Sequence, residues 1–139
     1  MIKIVLWIVL LFAMTNISSA ADQNLDRQQI YELRKDCGQI AAEYAHKWRL
    51  CEGTSSYQSH YNIKRNICFI YTIAQCKKEG DDNTFLAESL YDVNENKSYA
   101  SYFGSVKLIL HDIPYCYVEH KKCKDLSEFH NLIEPFMQE

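Results

Sequence analysis

Apolar and polar positions change period three times along this chain, and each change marks an element. Over residues 25–51, Leu33, Cys37, Ile40, Ala41, Tyr44, Trp48 and Cys51 recur at three- and four-residue steps. That spacing puts them on one stripe of an amphipathic helix. Asp22 or Asn24 would cap its start, Gly53 would serve as its stop, and Gly38 is its weak point. Residues 53–66 are polar and turn-like. Residues 67–77 then turn β-branched and aromatic (Ile67, Phe69, Ile70, Tyr71, Thr72, Ile73), which predicts a strand. Gly80-Asp81-Asp82-Asn83 marks a turn, and residues 84–93 form a second strand of the same hairpin. Residues 99–103 and 105–113 are further strand candidates. Asp125-Leu126-Ser127-Glu128 has capping-box spacing, and Leu126, Phe129, Leu132, Ile133 and Phe136 give a short terminal helix its apolar face. The order helix, antiparallel strands, helix predicts an α+β domain: a long N-terminal helix on a small antiparallel sheet, closed by a short C-terminal helix.

Ahead of this domain, Lys3 and the unbroken apolar run of residues 4–14 lead to Ser18-Ser19-Ala20. A positive start, an apolar stretch too short to span a bilayer and small residues at a cleavage site are the features of a secretory signal peptide over residues 1–20. Cleavage after Ala20 would leave residues 21–139 as one domain, with no membrane span, in the periplasm or outside the cell. The mature balance of 14 basic and 18 acidic residues offers no footprint for nucleic acid.

Export changes the reading of the six cysteines, Cys37, Cys51, Cys68, Cys76, Cys116 and Cys123. An even set of thiols in an oxidising compartment predicts disulfides rather than a metal site, and the paired C-x-x-C spacings of structural zinc are absent. Fifteen connectivities exist on paper. In a continuous helix Cys37 and Cys51 lie ~21 Å apart along the axis, and in one strand Cys68 and Cys76 lie ~26 Å apart on one face. Neither pair can bond internally. The expectation is therefore a clamp of Cys37 and Cys51 against Cys68 and Cys76, with Cys116–Cys123 closing a local turn.

Paired thiols are poor nucleophiles, and the chain has no phosphate loop, H-E-x-x-H helix or G-x-S-x-G turn. No catalytic residue, cofactor or metal is assigned. His111-Asp112 is the best adjacent acid/base pair, but strand neighbours point to opposite faces. Glu88 and Asp92 share a strand face, where acids more often solvate the outside of a sheet. Tyrosines, among them Tyr57, Tyr61, Tyr99, Tyr102, Tyr115 and Tyr117, are the residue type favoured at recognition surfaces. His60, Tyr61 and Asn62, set just ahead of a strand, are the candidate binding residues for a small polar ligand. Against that stands a turn-forming role for Asn62 and Asn66.

Residues 59–69, Ser-His-Tyr-Asn-Ile-Lys-Arg-Asn-Ile-Cys-Phe, resemble the S-H-Y-N-x-K-x-N-x-C-F signature of small secreted bacterial proteins of unassigned function. Residues 89–100 are similar to a second segment of that family ending in tyrosine-alanine. Residues 116–137 are similar to its terminal C…C-K-x-x-x-E-F…P-Y-M pattern. The resemblance implies bacterial export and carries no catalytic residue. The functional expectation is a non-enzymatic, disulfide-stabilised domain that binds a protein or envelope partner. The alternative is a small secreted hydrolase using His60 with a carboxylate from the segment Asp92 to Glu95.

Overall fold

A computed structural model describes residues 25–48, 54–77, 84–105 and 114–138. The leader, residues 49–53 with Cys51 and Gly53, and residues 106–113 with His111-Asp112 lie outside them. The fold is α+β: among the described residues, two helices and a six-stranded antiparallel sheet.

Helix α1 spans Arg27–Lys47. Its cap is Asp26, whose side chain accepts from the Gln29 N–H at 2.8 Å while the Gln29 side chain accepts from the Asp26 N–H at 3.0 Å. This reciprocal pair satisfies two orphan donors of the first turn, the job expected of Asp22 or Asn24. Strands β1 (Thr54–Asn62), β2 (Ile67–Lys77), β3 (Thr84–Asp92), β4 (Lys97–Ser105), β5 (Tyr115–Val118) and β6 (Lys121–Lys122) follow, then helix α2 (Leu126–Met137). Spatial order equals sequence order, so the sheet is a meander. The predicted polar turn over residues 53–66 is corrected: most of it is β1, paired with β2 from Thr54↔Gln75 to Asn62↔Ile67.

Opposed residues of paired strands share a face, which assigns both sides of the sheet. One face carries Phe69, Tyr71, Leu90, Ala100, Cys116 and Val118, and the Phe129, Ile133 and Phe136 stripe of α2 closes over it as the main core. Phe69 meets Tyr99 and Phe136 edge-on, with ring centroids 5.1 and 5.6 Å apart. The other face carries Cys68, Ile70 and Ala74, and α1 lies there over β1 and β2. The sheet is thus sandwiched between helices from opposite ends of the chain.

The expected pairing logic holds where it can be seen. Cys37 of α1 bonds Cys68 of β2, Cα atoms 5.4 Å apart, and Cys116 bonds Cys123 across the β5–β6 hairpin at 5.1 Å. Cys76 is also disulfide-bonded. Asp125 caps α2 by accepting from the Glu128 N–H, but Glu128 reaches the N–H of Lys124 instead of its cap. Pro135 falls in the last turn of α2, where its ring withholds a helical donor from the Asn131 carbonyl.

One turn is built twice. Residues 63–66 and 93–96 are four-residue loops joining β1 to β2 and β3 to β4. The Asn62 Oδ1 accepts from the Arg65 N–H at 3.0 Å, and the Asp92 Oδ1 accepts from Asn94 and Glu95 at 2.9 and 3.2 Å. Each loop ends on an asparagine in the left-handed region, Asn66 at φ 54° and Asn96 at φ 50°. A side-chain acceptor at the start and a residue tolerant of positive φ at the end are what such a loop demands.

Candidate functional site

The three candidate binding residues are the last three of β1 and alternate across the sheet. His60 and Asn62 point to the α2 face; Tyr61 points to the α1 face, where it is buried with Cys37, Cys68 and Leu33. The Tyr61 hydroxyl donates to the Asn66 Oδ1. Asn62 is 2 % exposed, and its amide donates to the carbonyls of Pro135 (3.4 Å), Phe136 (3.0 Å) and Gln138 (3.0 Å). It therefore gives a donor to two of the carbonyls that the end of α2 leaves open and to that of the cap residue Gln138. The Nε2 of His60 is buried without a hydrogen-bond partner. Burial, helped by the positive charge of Arg34, holds this imidazole below the usual histidine value, and the Gln138 backbone partly offsets the effect.

Asp92 shares the α2 face with His60, but β2 runs between them and its fully buried Phe69 occupies the position opposite both. The two repeated turns flank a polar depression lined by Asn66, Asp92, Asn94, Glu95 and Lys97, and His60 is not among its walls.

A polar cluster that sequence reasoning missed lies further along the α2 face. Glu88, 3 % exposed, accepts a hydrogen bond from the Tyr71 hydroxyl on β2, and the His130 Nε2 on α2 stands 2.7 Å from the same carboxylate oxygen. Tyr71 and His130 are themselves 3.3 Å apart. Tyr102, paired with Glu88 across β3–β4, completes the group; its ring lies back along β4 over Gly104, where a Cβ would stand 3.0 Å from the ring. Burial first, then the Glu88 hydrogen bond and charge, push the Tyr71 hydroxyl far above the usual tyrosine range. Burial and the charges of Glu88 and Asp125 raise Tyr102 as well. The neutral phenol donates and the carboxylate accepts, so the buried charge is compensated. Glu88 and Asp92 share one face as expected from their spacing, but both are buried rather than solvated.

The opposite face carries the most exposed large side chains of the sheet. Helix α1 covers β1 and β2 and reaches β3 through Tyr44, whose ring lies 5.7 Å from Tyr91. Beyond that contact the described residues place no element over β3, β4 and β5. Phe85 and Phe103 stack there at 5.3 Å with planes 9° apart, and Tyr115 and Tyr117 sit 5.0 Å apart on β5. Phe103, Tyr115 and Tyr117 are 46, 58 and 39 % exposed. Between the tyrosines and β4 lies a shallow hollow whose walls include the hydroxyl-bearing Ser98 and Ser101. Of the tyrosines named as recognition candidates, Tyr115 and Tyr117 join this surface, Tyr57 is exposed on β1, and Tyr61, Tyr99 and Tyr102 face into packed regions.

No family model, curated protein or solved structure matches the chain. No helix among the described residues is long and apolar enough to cross a membrane.

Proposed function

We propose that this chain is an exported, non-enzymatic binding domain that recognises a protein or envelope partner through the aromatic half-face of its sheet. The observation that carries this reading is the exposure of Phe103, Tyr115 and Tyr117 on one rigid, hydrogen-bonded surface next to Phe85 and two serines. Amphipathic aromatic rings give large contact area at small cost in conformational entropy, and they are enriched where proteins recognise partners. An exposed apolar patch of this kind on a small domain calls for an occupant. The disulfides Cys37–Cys68 and Cys116–Cys123 are compatible with work outside the cytoplasm, and the leader and the resemblance to small secreted bacterial proteins support the same address.

Asn62 and the Glu88–Tyr71–His130 group on the α2 face have structural duties, while the His60 Nε2 there stays without a hydrogen-bond partner. Asn62 closes a helix end, and Glu88, Tyr71 and His130 join that helix to the sheet. Binding is therefore assigned to the other face. The test is capture from envelope and culture-medium extracts by the oxidised protein, beside a Phe103→Ser, Tyr117→Ser double variant. A partner retained by the parent and lost by the folded variant is the expected result. Equal capture by both removes the aromatic face from the function, and turnover in a hydrolase panel with no partner captured replaces binding by catalysis.

A further inference from the structure

The two edges of the sheet are built in opposite ways. The β6 edge is two residues long, Lys121–Lys122, both exposed and both basic. Short, lysine-bearing edges repel a neighbouring strand. The β1 edge runs nine residues, Thr-Ser-Ser-Tyr-Gln-Ser-His-Tyr-Asn, with no lysine, arginine, aspartate, glutamate, proline or glycine. Its register against β2 is continuous over nine pairs, without the bulge seen between β3 and β4. Every second residue of such a strand turns its N–H and C=O away from its neighbour. Among the described residues nothing pairs with that outer row. Among the described residues β1 carries none of the charges, prolines or bulges that blunt an edge, while the far edge is both short and basic.

We infer that β1 is a dimerisation edge, which pairs antiparallel with β1 of a second copy of this chain about a two-fold axis. The strand is self-complementary because it lacks charge, so its copy brings no like charges into opposition. A pairing centred on Gln58 engages all nine residues and sets Gln58 against its own counterpart. It continues the antiparallel order of the meander, and its two-fold symmetry closes the assembly at two chains, leaving only the lysine-bearing edges outermost.

Helix α1 adds to the fit. It lies over β1 and β2, so with strands ~4.8 Å apart the two copies of α1 run side by side at about 10 Å, the separation of packed helices. The flank of α1 above β1 includes small residues at helical spacing, Gly38, Ala42 and Ala45, with Arg34 and His46 at its two ends. A Cβ on Gly38 would stand 3.9 Å from the Ser59 Oγ, which fixes that flank over β1. Ala42, Ala45 and the exposed Trp48 line a hollow there with His46, Ser55, Ser56 and Tyr57, so a surface of mixed character flanks the pairing strand. This edge is separate from the aromatic half-face, and each can operate without the other.

Sedimentation velocity of the oxidised protein from micromolar to hundreds of micromolar is the test. The expected result is a reversible dimer. Gln58→Lys and Gln58→Glu, checked for native circular dichroism, should each weaken self-association about fivefold or more by facing like charges across the axis. Mixing the two should restore dimer as a Lys–Glu heterodimer, which also shows that both variants fold. A chain that stays monomeric throughout overturns the proposal and leaves the edge to a strand of a different protein. A dimer indifferent to both variants overturns it too, by placing the interface elsewhere.

Discussion

The side-chain amide of Asn62 donates to the carbonyl of Phe136 at 3.0 Å, a bond between residues 74 apart in sequence. With its bonds to Pro135 and Gln138 it makes one strand residue the terminator of a distant helix. Asn62→Ala should therefore cost about 2–3 kcal/mol, since several carbonyls lose their donor in a buried setting. Asn62→Asp should cost more at neutral pH, because a carboxylate would then face those oxygens. Chemical denaturation of the two variants measures both, and an Asp variant as stable as the parent would contradict the arrangement.

Glu88, Tyr71 and His130 should behave as a coupled unit. Tyr71→Phe is expected to destabilise by about 1–3 kcal/mol by leaving the buried carboxylate short of a donor. His130→Ala removes the other partner. The double variant should depart from additivity by about 0.5–3 kcal/mol, the range for residues sharing one network. Additive losses in a double-mutant cycle would show that the three groups act separately.

His60 should make the fold acid-sensitive. Its imidazole is held below the ordinary value of 6.5 when folded, so the unfolded chain binds a proton first as pH falls. The stability tied to a neutral His60 is complete above pH 6.5 and declines as pH drops through the lowered folded value. Stability measured between pH 7 and pH 5 should fall less steeply in His60→Gln than in the parent. Identical slopes would show that other groups carry the acid dependence.

The disulfides should differ in weight. Cys37–Cys68 closes 31 residues and Cys116–Cys123 closes 7, so chain-entropy reasoning gives about 4 and about 2 kcal/mol. Paired Cys→Ala variants compared by denaturation check the order. Peptide mapping of the oxidised protein should find Cys76 joined to Cys51, the one thiol left after the two assigned bonds, and reduction should add six hydrogens to the intact mass.

The paired turns make a symmetric prediction. Ala at Asn66 or at Asn96 should each cost about 1–2 kcal/mol, because an ordinary side chain resists positive φ there, while Gly at either position should cost less. Equal losses for Ala and Gly would mean that the side-chain contacts, such as Tyr61 to Asn66, dominate over backbone strain.

The elements carried by apolar periodicity were legible in the sequence. Leu33, Cys37 and Ala41 mark the inner stripe of α1, Phe129, Ile133 and Phe136 that of α2, and the run Ile67 to Ile73 marks β2. The length of α1 and β2 also limited which cysteines could meet, and Cys37–Cys68 is one of the allowed pairs. β1 was not legible because it is an edge strand whose residues Ser55 to Ser59 all stay largely exposed, so no apolar alternation is written there. The Glu88–His130 contact was hidden by distance, 42 residues, and by the habit of reading a strand carboxylate as solvated. Asn62 was recognised as a turn former, which its Oδ1 is, while the same side chain's Nδ2 serves a helix that local sequence cannot reveal.

The meander sets an order of assembly. Every ladder joins strands adjacent in sequence, so the sheet can zip up through short loops while the rest of the chain is still loose. Docking of α2 is different, because its helix must return across the finished sheet before Phe69, Tyr71 and Leu90 are covered. A chain halted before residue 126 would have its strands and none of that cover, and would present a greasy sheet to whatever surveys the compartment. Helix α2, the twelve residues Leu126–Met137, therefore decides whether the newly made sheet hides its apolar face.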